Sequence, residues 1–272
     1  QSIFAAAGDA GAYDCLRSYN PPYTSSELQR EVDDPADNPY MTAVGGTSFL
    51  FTYDPGTNLN PTYPKGKEYV WDTLSACTNI PADGYCPYGA GGGGDSRVWS
   101  KPYYQSGSGT TSAYSESGGF CQHLPAGSGT GQCREVPDVS MNADPNSGYA
   151  LYCTDVGGGC PGAFGYFHGW LQIGGTSAAA PLFAAIAGLA DAYGHERVGL
   201  ANISLYNLNN SYGYANDLHD MTGGGSYIFQ GASFFTARNG YGSPTGFPET
   251  SAYDMATGLG TPNIANLAKA LS

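Results

Sequence analysis

The sequence predicts an α/β domain: a mainly parallel central sheet flanked by helices, with many loops. Three observations lead there. Short apolar runs of strand length end in glycine turns near residues 7 and 46, an apolar helical period begins at Ser177, and a long stretch rich in Gly, Pro, Ser and Tyr lies between them. The 272 residues suffice for one large domain with a substantial core, and no break in composition divides them.

Gln1 to Ala7 reads as a buried strand running into the tight turn Gly8-Asp9-Ala10-Gly11, a usual place for a functional carboxylate in an α/β sheet. Opening on a core strand predicts that a segment of the domain lies upstream, because termini normally sit in polar surface segments. Residues 12 to 40 are polar and proline-containing, with a short helix expected around Ser25 to Val32. Tyr40 to Thr47 is a second buried strand with a glycine turn. From Asp54 to Gly131 the composition predicts surface loops and short strands. Gly91 to Gly94 resembles a phosphate-binding run, yet no Lys-Ser or Lys-Thr follows it, so a flexible or substrate-lining loop is expected. Val136 to Asp144 and the alternating Gly148 to Cys153 are further strands. Helices are expected from Ser177 to Tyr193 and near Ile264 to Leu271.

Charge narrows the partners. A formal net charge of −13 and a sequence pI near 4.4 exclude nucleic acid and anionic membranes as natural partners. Forty-one glycines and twenty-two tyrosines among few charges fit an extracellular protein. No apolar run reaches membrane-spanning length, and the N-terminus shows no basic region followed by a cleavage site, so a secreted form has already lost its signal. The seven cysteines fall into close pairs, Cys77 with Cys86, Cys121 with Cys133 and Cys153 with Cys160, leaving Cys15 over. Each pair encloses a Gly- or Pro-containing loop, as short disulfide-closed loops do. Zinc is the competing reading, but there is no Cys-x-x-Cys and no histidine at ligand spacing.

Chemistry concentrates in Gly174-Gly175-Thr176-Ser177-Ala178-Ala179-Ala180-Pro181. Two glycines let the backbone turn, and Ser177 stands at the N-terminus of a buried helix, where free amides and the dipole favour negative charge. That position suits a nucleophile whose intermediate carries an oxyanion. An ordinary N-cap is the alternative for Gly-Thr-Ser, and a turn aspartate capping its own backbone is the alternative for Asp9.

Five motifs in order make the chain resemble the sedolisin family, the serine-carboxyl peptidases: Gly8 to Gly11; Thr42 to Thr47; Val136-Pro137-Asp138-Val139-Ser140 with Ala143-Asp144-Pro145; Gly174 to Pro181; and Tyr253-Asp254 with Thr257 to Pro262. Glu68 to Trp71 and Pro102 to Gln105 are smaller echoes, and together they span nearly the whole chain. The resemblance implies a subtilisin-like fold and a single catalytic domain over residues 1–272 that lacks its N-terminal segment. It implies that Ser177 attacks the peptide carbonyl and that Asp9 supports the oxyanion. A carboxyl group can do so only when protonated, so the expectation is a secreted endopeptidase that works in acid.

The family's general base is a glutamate oriented by an aspartate one helical turn on, both upstream of the position of Asp9. Glu27, Glu31, Asp33 and Asp34 lie downstream in what reads as a surface loop and are not substitutes. The expected partner is therefore an N-terminal fragment of the same precursor, which brings the base and a cysteine for Cys15. The resemblance also implies one calcium ion, held by Asp220 and Asp254 and the carbonyls of Met221, Thr250 and Ala252. Oxygen donors suit it. Thr250 and Ala252 stand where the family has glycines, which puts the backbone angles there in question. The alternatives are a subtilisin-type protease with a histidine base, disfavoured by Asp9 where that class has a neutral asparagine donor, and a noncatalytic extracellular binding module derived from a protease.

Overall fold

The computed structural model describes residues 1–14, 29–49, 68–73, 89–110, 132–154, 169–224, 226–229, 232–235, 237–240 and 245–272. At its centre lies β2 (Thr42–Phe49), seven of whose eight residues are buried. β1 (Phe4–Ala6) pairs with it in parallel, Phe4 opposite Thr42 and Ala6 opposite Val44. β3 (Glu68–Val70) pairs antiparallel with Thr47 to Phe49. β6 (Val139–Asn142) runs parallel to β2 from Val44 to Thr47. Because Val44 faces both Ala6 and Val139, and Thr47 both Val70 and Asn142, β1 and β3 share one side of β2 end to end and β6 takes the other. The remaining pairs are antiparallel: β4 (Gly94–Ser100) with β5 (Cys133–Val136), β7 (Tyr149–Cys153) with β8 (Gly169–Ile173), β9 (Leu218–His219) with β12 (Thr261–Pro262), and β10 (Ser226–Phe229) with β11 (Ala232–Phe235).

α1 (Thr176–Gly194) lies across this sheet. Its buried residues Ala179, Phe183, Ile186 and Ala190 recur every three to four positions, the period of one helix face, and Phe183 meets Phe4 of β1 at 5.7 Å between ring centroids. α2 (Ala201–Asn209), α3 (Tyr214–Asp217) and α4 (Ile264–Ala270) follow, and α4 packs on α1. Beneath them the motif residue Asp138 is fully buried. It accepts from Ala43 N at 2.8 Å, Tyr206 Oη at 2.9 Å and Arg134 Nη1 at 2.6 Å, tying β2, α2 and β5 together.

Three expectations need correction. Gly45 and Gly46 lie inside β2 and make no turn: a Cβ on Gly45 would come within 2.6 Å of Ser140 Oγ, and one on Gly46 within 2.7 Å of the Trp71 ring, so glycine is set here by close packing. Gly91 to Gly94 is likewise a buried, packed passage in place of a flexible loop. Gly91 N donates to Trp71 O at 2.9 Å and Gly92 N to Gly8 O at 2.8 Å, and a Cβ on Gly92 would stand 1.7 Å from Ala7 O. Of the helix expected around Ser25 to Val32, residues 25–28 lie outside the described residues, and residues 29–32 are not helical: Glu31 forms an isolated parallel bridge with Tyr13. Backbone pairing outweighed the weak polar helix signal.

Candidate active site

The turn after β1 is fixed from both sides. Ala7 N continues the ladder to Val44 O at 2.9 Å, and Gly8 (φ 99°) and Gly11 (φ 63°) then adopt angles that side chains resist. This swings Asp9 to the start of α1. Asp9 Oδ1 accepts from Thr176 N at 2.7 Å and from Thr176 Oγ1 at 2.8 Å, while Thr176 Oγ1 accepts from Gly8 N at 3.1 Å. Gly175, the N-cap residue of α1, has φ 90° and no side-chain cap, so the capping acceptor comes from Asp9, a residue far away in sequence. A Cβ on Gly175 would lie 2.6 Å from Asp9 Oδ2, and Gly175 N donates to Ala143 O at 2.5 Å, which holds the end of β6 against the same turn.

Ser177 is the second helical residue and is exposed. Its hydroxyl thus sits at the positive end of α1, one residue from the pair of hydrogen bonds that anchors Asp9. Among the described residues no hydrogen bond joins Ser177 to a carboxylate or an imidazole. The geometry brings together a free hydroxyl, a helix N-terminus and a carboxyl group with one oxygen engaged, the parts needed to stabilise developing negative charge. Neither Asp9 nor Ser177 serves as a local cap: Asp9 bonds to Thr176 across the fold.

Further carboxyl groups crowd the Asp9 turn. A Cβ on Gly8 would meet Asp14 Oδ1 at 3.2 Å and Asp33 Oδ2 at 3.6 Å. Burial pushes Asp33 up to about 6, helped by the charges of Asp14, Asp34 and Asp9. Burial also raises Asp14. Asp33, which the sequence placed in a surface loop, therefore stands half-buried beside the site, yet Asp9 is the one that reaches Thr176. Glu31 turns away to Arg97 at 2.6 Å, and Glu27 lies outside the described residues.

The residues expected to hold a metal also gather. Asp220 Oδ2 accepts from Ala252 N at 2.7 Å; Asp254 accepts from Thr250 N, Ala256 N and Thr257 N at 2.8 to 2.9 Å. Met221 is buried next to Asp220. Ala252 keeps the left-handed angle, φ 66°, that a glycine would take there, which answers the doubt its side chain raised. Asp220 Oδ1 and Glu249 Oε2 are buried without a hydrogen-bond partner. Burial pushes Asp254 up to about 7 and raises Asp220 and Glu249, with the charge of Asp220 adding to the other two. Buried carboxyl oxygens without hydrogen-bond partners among the described residues fit a hard metal ion. Among the described residues no three His, Cys, Asp or Glu side chains form a metal cluster; the expected set uses two, with carbonyls for the rest.

Cys133 and Cys153 each take part in a disulfide. Cys15, Cys77, Cys86, Cys121 and Cys160 lie outside the described residues, and so do the pairings expected for them. Sequence reasoning missed Thr176 as a contact of Asp9; its adjacency to Ser177 was visible, but a contact across 167 residues was not.

No family model matches the chain. It is 30% identical to kumamolisin of Bacillus sp. (strain MN-32) over 270 residues, covering 99% of this chain and 36% of that protein. It is 29% identical to sedolisin of Pseudomonas sp. (strain 101), covering 98% of this chain and 34% of that protein, and 28% identical to tripeptidyl-peptidase sed1 of Aspergillus fumigatus, covering 98% and 35%. The chain thus spans about a third of the length of the curated relatives it matches. Among solved structures, Pseudomonas sedolisin, a serine-carboxyl proteinase complexed with two molecules of pseudo-iodotyrostatin, matches with a TM-score of 0.62 and 27% identity over 98% of this chain and 55% of that one. The chain is similar to these proteins in sequence and has their subtilisin-like α/β fold.

Proposed function

We propose that this relative of the sedolisins forms part of a serine-carboxyl endopeptidase, secreted and acting in acid, in which Ser177 is the nucleophile and Asp9 the oxyanion donor. The observation that carries the reading is the meeting of Asp9 with the N-terminus of α1 through Thr176, one residue from the exposed Ser177. In this role Ser177 Oγ adds to the peptide carbonyl, and Asp9, protonated on its free oxygen, hydrogen-bonds the developing oxyanion. An ionised carboxylate would repel that charge, so the mechanism favours acid. The two oxidised cysteines support a secreted location.

The base would come from an N-terminal fragment of the same precursor. Supporting it, α1 presents an apolar outer face of Leu182 and Leu189 with the exposed Ala185 and Ala192 between and after them, and Ile3 beside β1 is 46% exposed. A calcium ion would be held by Asp220, Asp254 and the carbonyls of Met221, Thr250 and Ala252. Its charge would offset the buried carboxylates and bind the two loops together.

The test is Ser177→Ala in the complete protein. Hydrolysis of an unfolded protein substrate at acid pH should fall by several orders of magnitude while the circular dichroism spectrum stays unchanged. Turnover retained in that variant would remove Ser177 from the mechanism.

A further inference from the structure

Thr176 is completely buried, and its hydroxyl is used twice. It accepts from Gly8 N at 3.1 Å and donates to Asp9 Oδ1 at 2.8 Å. The Thr176 backbone N–H reaches that same oxygen at 2.7 Å. Two donors converge on one carboxyl oxygen, which engages its lone pairs and makes it the less basic of the two. A proton on Asp9 then belongs on Oδ2. That oxygen stands over Gly175, where a Cβ would come within 2.6 Å, so only a bare backbone leaves it room.

We propose that Thr176 is a positioning residue of the reaction: it holds Asp9 Oδ1 as the acceptor, leaves Oδ2 as the oxygen that bears the proton, and so points the acid's donor edge to the side of Ser177. The proposal rests on Asp9 being the oxyanion donor. A carboxyl group without this clamp can turn about its Cβ–Cγ bond and present either oxygen. Fixing it removes that freedom before the reaction begins, when pre-placed donors contribute most.

Two consequences separate positioning from mere support of the fold. A misdirected donor acts in the transition state, so loss of the hydroxyl should lower kcat and leave KM nearly unchanged. The hydroxyl also donates to the ionised carboxylate. Without it the alkaline limb of activity should move upward.

The experiment compares Thr176→Val, which keeps the shape and removes the hydroxyl, with Thr176→Ser, which keeps the hydroxyl, both in the complete protein. The valine variant is expected to lose about tenfold to a hundredfold in kcat with KM within about twofold, and its alkaline limb to move upward. The serine variant should restore both. A folded valine variant whose alkaline limb does not move, or a serine variant that rescues neither property, overturns the proposal. If the valine variant does not fold, Thr176→Ala carries the same readouts. Asp9→Ala run alongside keeps the two levels apart: full activity there sinks the underlying reading, whereas an inactive Asp9→Ala with an unmoved limb in Thr176→Val sinks the role of Thr176 alone.

Discussion

At the scale of single residues, Asp9 does two jobs that pull in opposite directions. As the capping acceptor at the start of α1 it is best ionised, since the helix N-terminus favours negative charge. As an oxyanion donor it must be neutral. The conflict is resolved by dividing the carboxyl group, with Oδ1 given to Thr176 and Oδ2 left for the substrate. Asparagine can make the same division, with its carbonyl oxygen on Thr176 and its amide toward the oxyanion, and it does not titrate. Asp9→Asn should therefore keep part of the activity and flatten its decline toward neutral pH. Asp9→Ala should lose about a hundredfold to a thousandfold in rate. Steady-state kinetics from pH 3 to 8 check both, and an alanine variant as fast as the parent at acid pH would remove Asp9 from the site.

At the scale of elements, what could be read from the sequence depended on whether the signal was local. The α1 period and the β2 run announced themselves through residues a few positions apart, and both are present within two residues of expectation. Gly45, Gly46 and Gly91 to Gly94 carried equally visible letters with the wrong meaning. Glycine records either a turn or a close approach, and the neighbours that decide between them, Ser140, Trp71 and Ala7, are distant in sequence. The Asp220 and Asp254 loops show the same limit. Their meeting depends on Ala252 holding a left-handed angle and donating to Asp220, which no local pattern announces. That junction has a buried oxygen to spare on Asp220, and a calcium ion there should stabilise the fold by mass action. At a hundredfold excess over Kd this is about 2.7 kcal/mol, or a Tm shift of roughly 5–10 °C at this size. Chelator should lower the Tm by that order. Asp220→Asn preserves the acceptor for Ala252 N and should abolish the sensitivity, and a melting curve indifferent to chelator in the parent protein would count against the ion.

At the scale of the whole molecule, several acids are shifted in one direction by burial. Asp33 is pushed up to about 6 and Asp95 to about 7, each chiefly by burial, and Asp14, Glu31 and Asp37 are raised by the same cause. Asp95 sits on β4 directly across from the fully buried Glu135 on β5, and Lys101 lies 3.3 Å from Glu135 to serve both. Burial and the charge of Glu135 outweigh the pull of Lys101 and Arg30, which favours a proton on Asp95. A carboxyl group whose folded value stands above its unfolded value holds its proton in the native state and releases it on unfolding. Its stabilisation is complete below about pH 4 and is lost as the pH rises through about 6 to 7. Of these two, Asp95 contributes more, at a slope of no more than about 1.4 kcal/mol per pH unit, because Asp33 is half exposed and solvent screens its share. The net charge of −13 adds self-repulsion of the same sign at neutral pH. The Tm should therefore be highest near pH 4 to 5 and fall by several degrees toward pH 7.5, and Asp95→Asn should flatten that fall by removing the buried group that titrates. Calorimetric melts across this range at constant ionic strength decide it. A Tm that rises between pH 4.5 and 7.5 would mean that the buried acids do not favour acid conditions, whatever the pH dependence of catalysis.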